Sequence, residues 1–160
     1  MAILGRVTTR AASVLRATAL AGATLVAAGC AVFSPVQTDA FYQPADGPAL
    51  NTVDVKLRNL VVVAGEKGGE GVLVGQAVND ANQAVDVEFS VGGGTPAKRT
   101  VPASSGGAIS EASSRVVLTS VPGAPGDAIE LTVTTPESGQ NIVLVPVLAP
   151  TGYYQQFTPS

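Results

Sequence analysis

Histidine and tryptophan are missing from this sequence of 160 residues, cysteine and methionine occur once each, and aromatic residues make up only 4%. Without imidazole the chain has no Ser-His-Asp or Cys-His pair, no histidine general base and no histidine metal ligand of its own. One cysteine excludes an internal disulfide and any CxxC redox or metal pair. Charged residues are 13%, about half the usual share of roughly 25%. An enzyme would have to work through Asp or Glu, Lys, Tyr or Ser. What the chain has in quantity is aliphatic residues and glycine, and their order carries the rest of the reading.

The first 16 residues contain Arg6, Arg10 and Arg16 and no acid, and an apolar run from Ala17 to Ala28 follows. A basic segment ahead of a short apolar one is the pattern of a secretory signal, and the run falls short of the roughly 20 residues that span a bilayer. No Arg-Arg pair occurs, so general secretion is expected over the twin-arginine route. The run ends in Leu25-Val26-Ala27-Ala28-Gly29-Cys30, which resembles the lipobox of bacterial lipoprotein precursors, with Ala27 where that pattern most often has Leu. The resemblance implies cleavage between Gly29 and Cys30, and a lipid on Cys30 that holds the mature protein at the outer face of the cytoplasmic membrane. Acyl chains contribute about 0.8 kcal/mol per buried CH₂, and two or more give stable anchoring. Segment 1–29 is therefore expected to be a signal peptide, and 30–51 the lipidated Cys30 followed by an extended tether with Pro35, Pro44, Gly47 and Pro48. Phe33, Phe41 and Tyr42 in that tether are read as an interfacial patch or as residues docking on the domain edge.

Removal of residues 1–29 takes away three Arg and no acid, so the net charge of −3 becomes −6. A negative surface without clustered Lys and Arg argues against nucleic acid and against electrostatic adhesion to anionic lipid.

From residue 52 the hydrophobic period is two. Val53, Val55 and Leu57 alternate with Asp54, Lys56 and Arg58, and Leu60–Val63 form an unbroken apolar run of the kind covered on both faces. Val85, Val87, Phe89 and Val91 alternate with Asp86, Glu88 and Ser90. Further short β-rich pieces stand at 72–78, 98–101, 115–119, 129–134 and 142–147, separated by Gly-, Pro- and Asn-containing turns. About seven strands over 52–150 predict an all-β domain, an immunoglobulin-like or cupredoxin-like antiparallel β-sandwich, with a small closed barrel as the alternative. Residues 151–160 form a C-terminal tail.

Several motifs invite a functional reading. Gly65–Gly71 lacks the Gly-Lys-Ser/Thr ending of a phosphate loop and leads into a strand, so a hairpin turn is expected. Asp86 and Glu88 lie at i and i+2 on one wet face, which suits solvation better than paired acid/base work. Asp80, Asp86 and Glu88 match no calcium loop, and Lys98 with Ser104 and Ser105 lacks Ser-x-x-Lys spacing. The tail aromatics Tyr153, Tyr154 and Phe157 are candidates for contact with a partner, or for docking on the chain's own domain.

The order of lipobox, Pro-containing tether, Asp54–Val62, Gly71–Asn79, Val85-Asp86-Val87 and Val143–Val147 resembles small actinobacterial cell-envelope lipoproteins of the LpqE-like kind. That group is distantly similar to periplasmic copper chaperones with a cupredoxin-like sandwich, which hold Cu(I) with His and Met ligands. The resemblance transfers no metal ligand to this chain, and no cofactor is expected. The reading is a non-catalytic, membrane-anchored envelope interaction or accessory module with an unidentified protein partner. The alternative is an extracytoplasmic protein that handles a small ligand or a metal without the His and Met ligands.

Overall fold

A computed structural model describes residues 45–159. The signal segment, Gly29, Cys30 and the tether as far as Pro44, with Phe33, Phe41 and Tyr42, lie outside the described residues. The strands are β1 (Leu50–Asn51), β2 (Lys56–Ala64), β3 (Gly71–Asn79), β4 (Val85–Val91), β5 (Ala97–Val101), β6 (Ser105–Ala108), β7 (Val117–Leu118), β8 (Ala128–Thr135) and β9 (Gly139–Leu148). Short 3-10 turns cover Ala112–Ser114 and Gly152–Phe157. No helix among the described residues is long and apolar enough to cross a membrane.

Hydrogen-bonded neighbours run β5-β4-β8-β9-β2-β3-β6, with β1 beside β2 and β7 beside β3. This is a cupredoxin-like β-sandwich that is nearly a closed barrel. One layer holds β5, β4, β8 and most of β9; the other holds β1, β2, β3, β6 and β7. Strand β9 belongs to both, because it pairs antiparallel with β8 from Gly139 to Pro146 and then parallel with β2 at Val147 and Leu148. That parallel pairing is the exception in an otherwise antiparallel set of ladders. Pro146, which has no N–H to give a ladder, stands where the change of partner occurs.

The β4 alternation becomes a clean inside-outside pattern, with Val85, Val87, Phe89 and Val91 buried. They meet Leu131, Val133, Val145, Leu57, Leu60, Val62 and Leu73 in an aliphatic core between the layers. The N-terminal alternation works differently. Val53 is 79% exposed, and strand β2 begins only at Lys56. Thr52 and Val55 form a local turn, in which the Thr52 hydroxyl donates to the Val55 carbonyl and accepts from the Val55 N–H, both at 2.9 Å.

Leu57 and Leu60 both face the core because Asn59 adopts a left-handed conformation, φ 52°, and adds one residue to β2 between its pairings Arg58↔Gln76 and Val61↔Val74. This β-bulge flips the phase of the strand. Leu57, Leu60, Val62 and Ala64 then point inward, and Val61 and Val63 point to the outer face. The apolar run is covered on both sides as its composition predicts.

Three connections hold the layers in place. Asn79, 1% exposed, donates from its amide to the carbonyls of Gln83, Val101 and Pro102 and accepts from the Ala81 N–H. Arg99 of β5 donates to the carbonyls of Ala108 (3.1 Å) and Ser114 (2.6 Å), bridging the seam between the β5 edge and the β6 side. Gly65–Gly71 is the β2–β3 hairpin connection, as expected, fixed by reciprocal backbone bonds of Gly68 and Gly69 with Val121.

Candidate functional site

The tail after β9 crosses the outer face of β2 and β3. In the 3-10 turn Gly152–Phe157, Phe157 is buried among Val61, Val63, Val72 and Val74, with Leu148 and Tyr154 at the margin. Without this cover four valines on the outer face would meet water. Phe157 is thus part of the domain's own packing. Tyr154 is half-buried beside it and its hydroxyl donates to Asp46 Oδ2 at 2.6 Å. Burial first, and then the bond and negative charge of Asp46, push the Tyr154 phenol up to about 12. Tyr153 is 71% exposed. Its ring stands edge-on to Tyr154, centroids 5.2 Å apart at 83°, and lies 5.8 Å from Phe157. The structure therefore brings the three tail aromatics together with graded roles: Phe157 seals, Tyr154 links the tail to the N-terminal edge, and Tyr153 presents its ring to the outside. Arg115 adds a bond to the Gln156 carbonyl at 3.2 Å.

A second constellation was hidden in the sequence. Asp54, read there as the wet side of a strand, accepts bonds from the Thr135 hydroxyl and from the N–H groups of Ser138 (3.1 Å) and Glu137 (3.2 Å). Slight burial acts to raise its carboxyl, but these bonds outweigh it and hold the group below the ordinary Asp value. The Ser138 hydroxyl accepts in turn from the Val53 N–H at 2.9 Å. Beside this clasp lies an open cleft of about 410 Å³ lined by Val53, Asn82, Gln83, Val85, Pro136 and Glu137 among others. No local signal joins Asp54 to a turn some eighty residues away. Its bonds are all spent on the chain's own groups, so Asp54 is a clasp between loops.

The other acidic residues are dispersed. Asp80 pairs with Lys56, Glu88 with Lys98 at 2.8 Å, and Asp86 accepts from Thr100 at 2.6 Å. Cross-strand partners thus take up the carboxylates that were considered for acid/base or calcium work. Ser104 and Ser105 donate to backbone carbonyls of Ala81 and Pro102, and Lys98 faces Glu88. Among the described residues no three His, Cys, Asp or Glu side chains group to hold a metal.

The sequence matches no family model and none of the curated proteins. Solved structures do share the fold. The copper-bound PCuAC domain from PmoF2 is similar at a TM-score of 0.51 with 19% identity, over 64% of this chain and 99% of that domain. The apo PCuAC domain from PmoF1 has the same TM-score with 13% identity, over 64% of this chain and all of that domain. These likenesses define the class of architecture, a cupredoxin-like sandwich of the PCuAC kind. The donor chemistry does not follow: residues 45–159 contain no His, Met or Cys, so the soft donors that suit Cu(I) are missing from the described domain.

Proposed function

We propose that this protein is a non-catalytic, extracytoplasmic module that uses the PCuAC-type sandwich without soft-donor copper ligation, and that it works from the membrane surface as a lipid-anchored accessory of the cell envelope. The observation that carries the proposal is the pairing of that fold with a domain free of His, Met and Cys. The lipobox Leu25–Cys30 supports the anchor. Confinement to a surface raises the effective concentration toward neighbours in the same envelope, which lets a weak contact surface suffice. Replacing Cys30 with Ala tests this. The expected result is loss of the mature protein from the membrane fraction, as soluble protein or uncleaved precursor. Unchanged, mature, detergent-dependent membrane association contradicts the anchor.

The likeness to a copper-bound domain bears more directly on a second reading, the handling of a small ligand or a metal outside the cytoplasm. In that reading any ligation comes from oxygen donors or is completed by another molecule, because this chain's described side chains offer nothing softer. A Cu(I) titration of the purified protein against a chelator separates the two. Weak, non-stoichiometric uptake agrees with the accessory module, and tight one-to-one binding establishes copper handling.

A further inference from the structure

The chain enters the folded domain at the same edge where its C-terminal tail is fastened. Asp46, two residues beyond the last undescribed residue, accepts the Tyr154 hydroxyl, and Gly47 is bonded to β2 through the Asn59 side chain at 2.8 Å. Tyr153 stands beside this entry point with its ring 71% exposed. From Cys30 to Asp46 the chain is 16 residues long. Such a length reaches at most about 55 Å. The covalent length alone limits how far the entry edge can lie from whatever anchors Cys30.

We propose that the Tyr153–Tyr154 edge is a membrane-contact surface that seats in the interfacial layer of a lipid bilayer and orients the sandwich with the opposite layer facing away. The proposal rests on the lipid-anchored reading. Tyrosine suits this layer because its ring is apolar and its hydroxyl wet, and such residues concentrate at headgroup depth. The edge-on packing of Tyr153 on Tyr154 and Phe157, with Tyr154 tilted against Phe157, holds the rings before contact, so little side-chain freedom is lost on seating. The charged groups hydrogen-bonded to the tail are one acid, Asp46, and one base, Arg115, and Glu66 and Glu70 line an open cleft beside Thr158 and Pro159. A contact made by aromatic rings needs no cluster of Lys or Arg and should be insensitive to salt on zwitterionic lipid.

The absence of tryptophan provides a clean probe. The protein bearing Tyr153→Trp is purified from membranes and placed in phosphatidylcholine vesicles, some containing a quencher at headgroup depth. A parallel Ile142→Trp protein reports from the outer face of the opposite layer, where Ile142 is 61% exposed. Co-sedimentation with vesicles reads the anchor, and quenching reads the contact. The expected result is co-sedimentation of both proteins, with blue-shifted and quenched emission at 153, unquenched emission at 142, and no change with added salt. Co-sedimentation with unquenched emission at 153, or equal quenching at both positions, overturns the membrane contact alone. Failure to co-sediment overturns the anchored reading and the contact with it.

Discussion

Asn59 decides which half of β2 meets which side of the sheet. A non-glycine residue at positive φ is tolerated best when it is Asn or Asp, and here the conformation is held by a purpose: the side-chain oxygen receives the Gly47 N–H, while Leu60 donates its own N–H to Pro48. Gly47 lies so close to this bulge that a Cβ on it would stand 2.1 Å from the Leu60 carbonyl oxygen. Gly47→Ala must therefore push the entering chain off the bulge, and we expect a loss of about 1–3 kcal/mol in a denaturant titration, the usual range for forced overpacking. Gly65→Ala, where an added Cβ meets nothing within 4 Å, should stay within about 0.5 kcal/mol. Equal effects at the two positions would show that the Gly47–Asn59 contact does not constrain the fold. The sequence puts Gly47 in a tether; the contact that makes it obligatory is with a residue on another element, so composition could not mark it.

At the scale of elements, the tail and the core strands contrast in how much of their role is written locally. Strand β4 is legible residue by residue, because a sheet with one wet face imposes a strict period of two and Asp86 and Glu88 obey it. β6 is not: Ser105–Ala108 reads as a turn, being small and Gly-rich, and becomes a strand only by pairing with Gln76–Asn79 of β3. The tail leaves docking and partner contact open because Tyr-Tyr-Gln-Gln-Phe has no periodicity of its own. Its burial is decided by four outward valines, Val61 and Val63 on β2, whose direction the Asn59 bulge sets, and Val72 and Val74 on β3. Truncating Phe157→Ala should cost about 3 kcal/mol and expose Val61, Val63, Val72 and Val74, read as a lower midpoint of unfolding together with increased binding of a hydrophobic dye. Tyr153→Ala, at an exposed ring, should leave the midpoint nearly unchanged. A Phe157→Ala protein as stable as the parent would mean that the tail is not part of the folded unit.

At the scale of the whole molecule, the sequence pattern and the structure meet in the fold class. The fold class follows from strand count and turn spacing, and the aliphatic core from the scarcity of aromatics. The near closure of the barrel is another matter. It depends on Arg99 reaching the carbonyls of Ala108 and Ser114 across the seam, and on one strand being shared by both layers. Neither leaves a mark in hydrophobic pattern, since an arginine on the wet side of an edge strand looks like any solvated charge.

That shared strand has a kinetic meaning. Val62 near the start of the domain takes Val147 near its end as a ladder partner, and contacts so distant along the chain carry a high loop-closure cost and form slowly. Side chains such as Asn79 and Arg99 can link the layers earlier, but among the described residues the backbone ladder that joins them waits for the last strand. Completion of the C-terminal strand is therefore a condition for closing the sandwich, whatever the earlier strands have already formed.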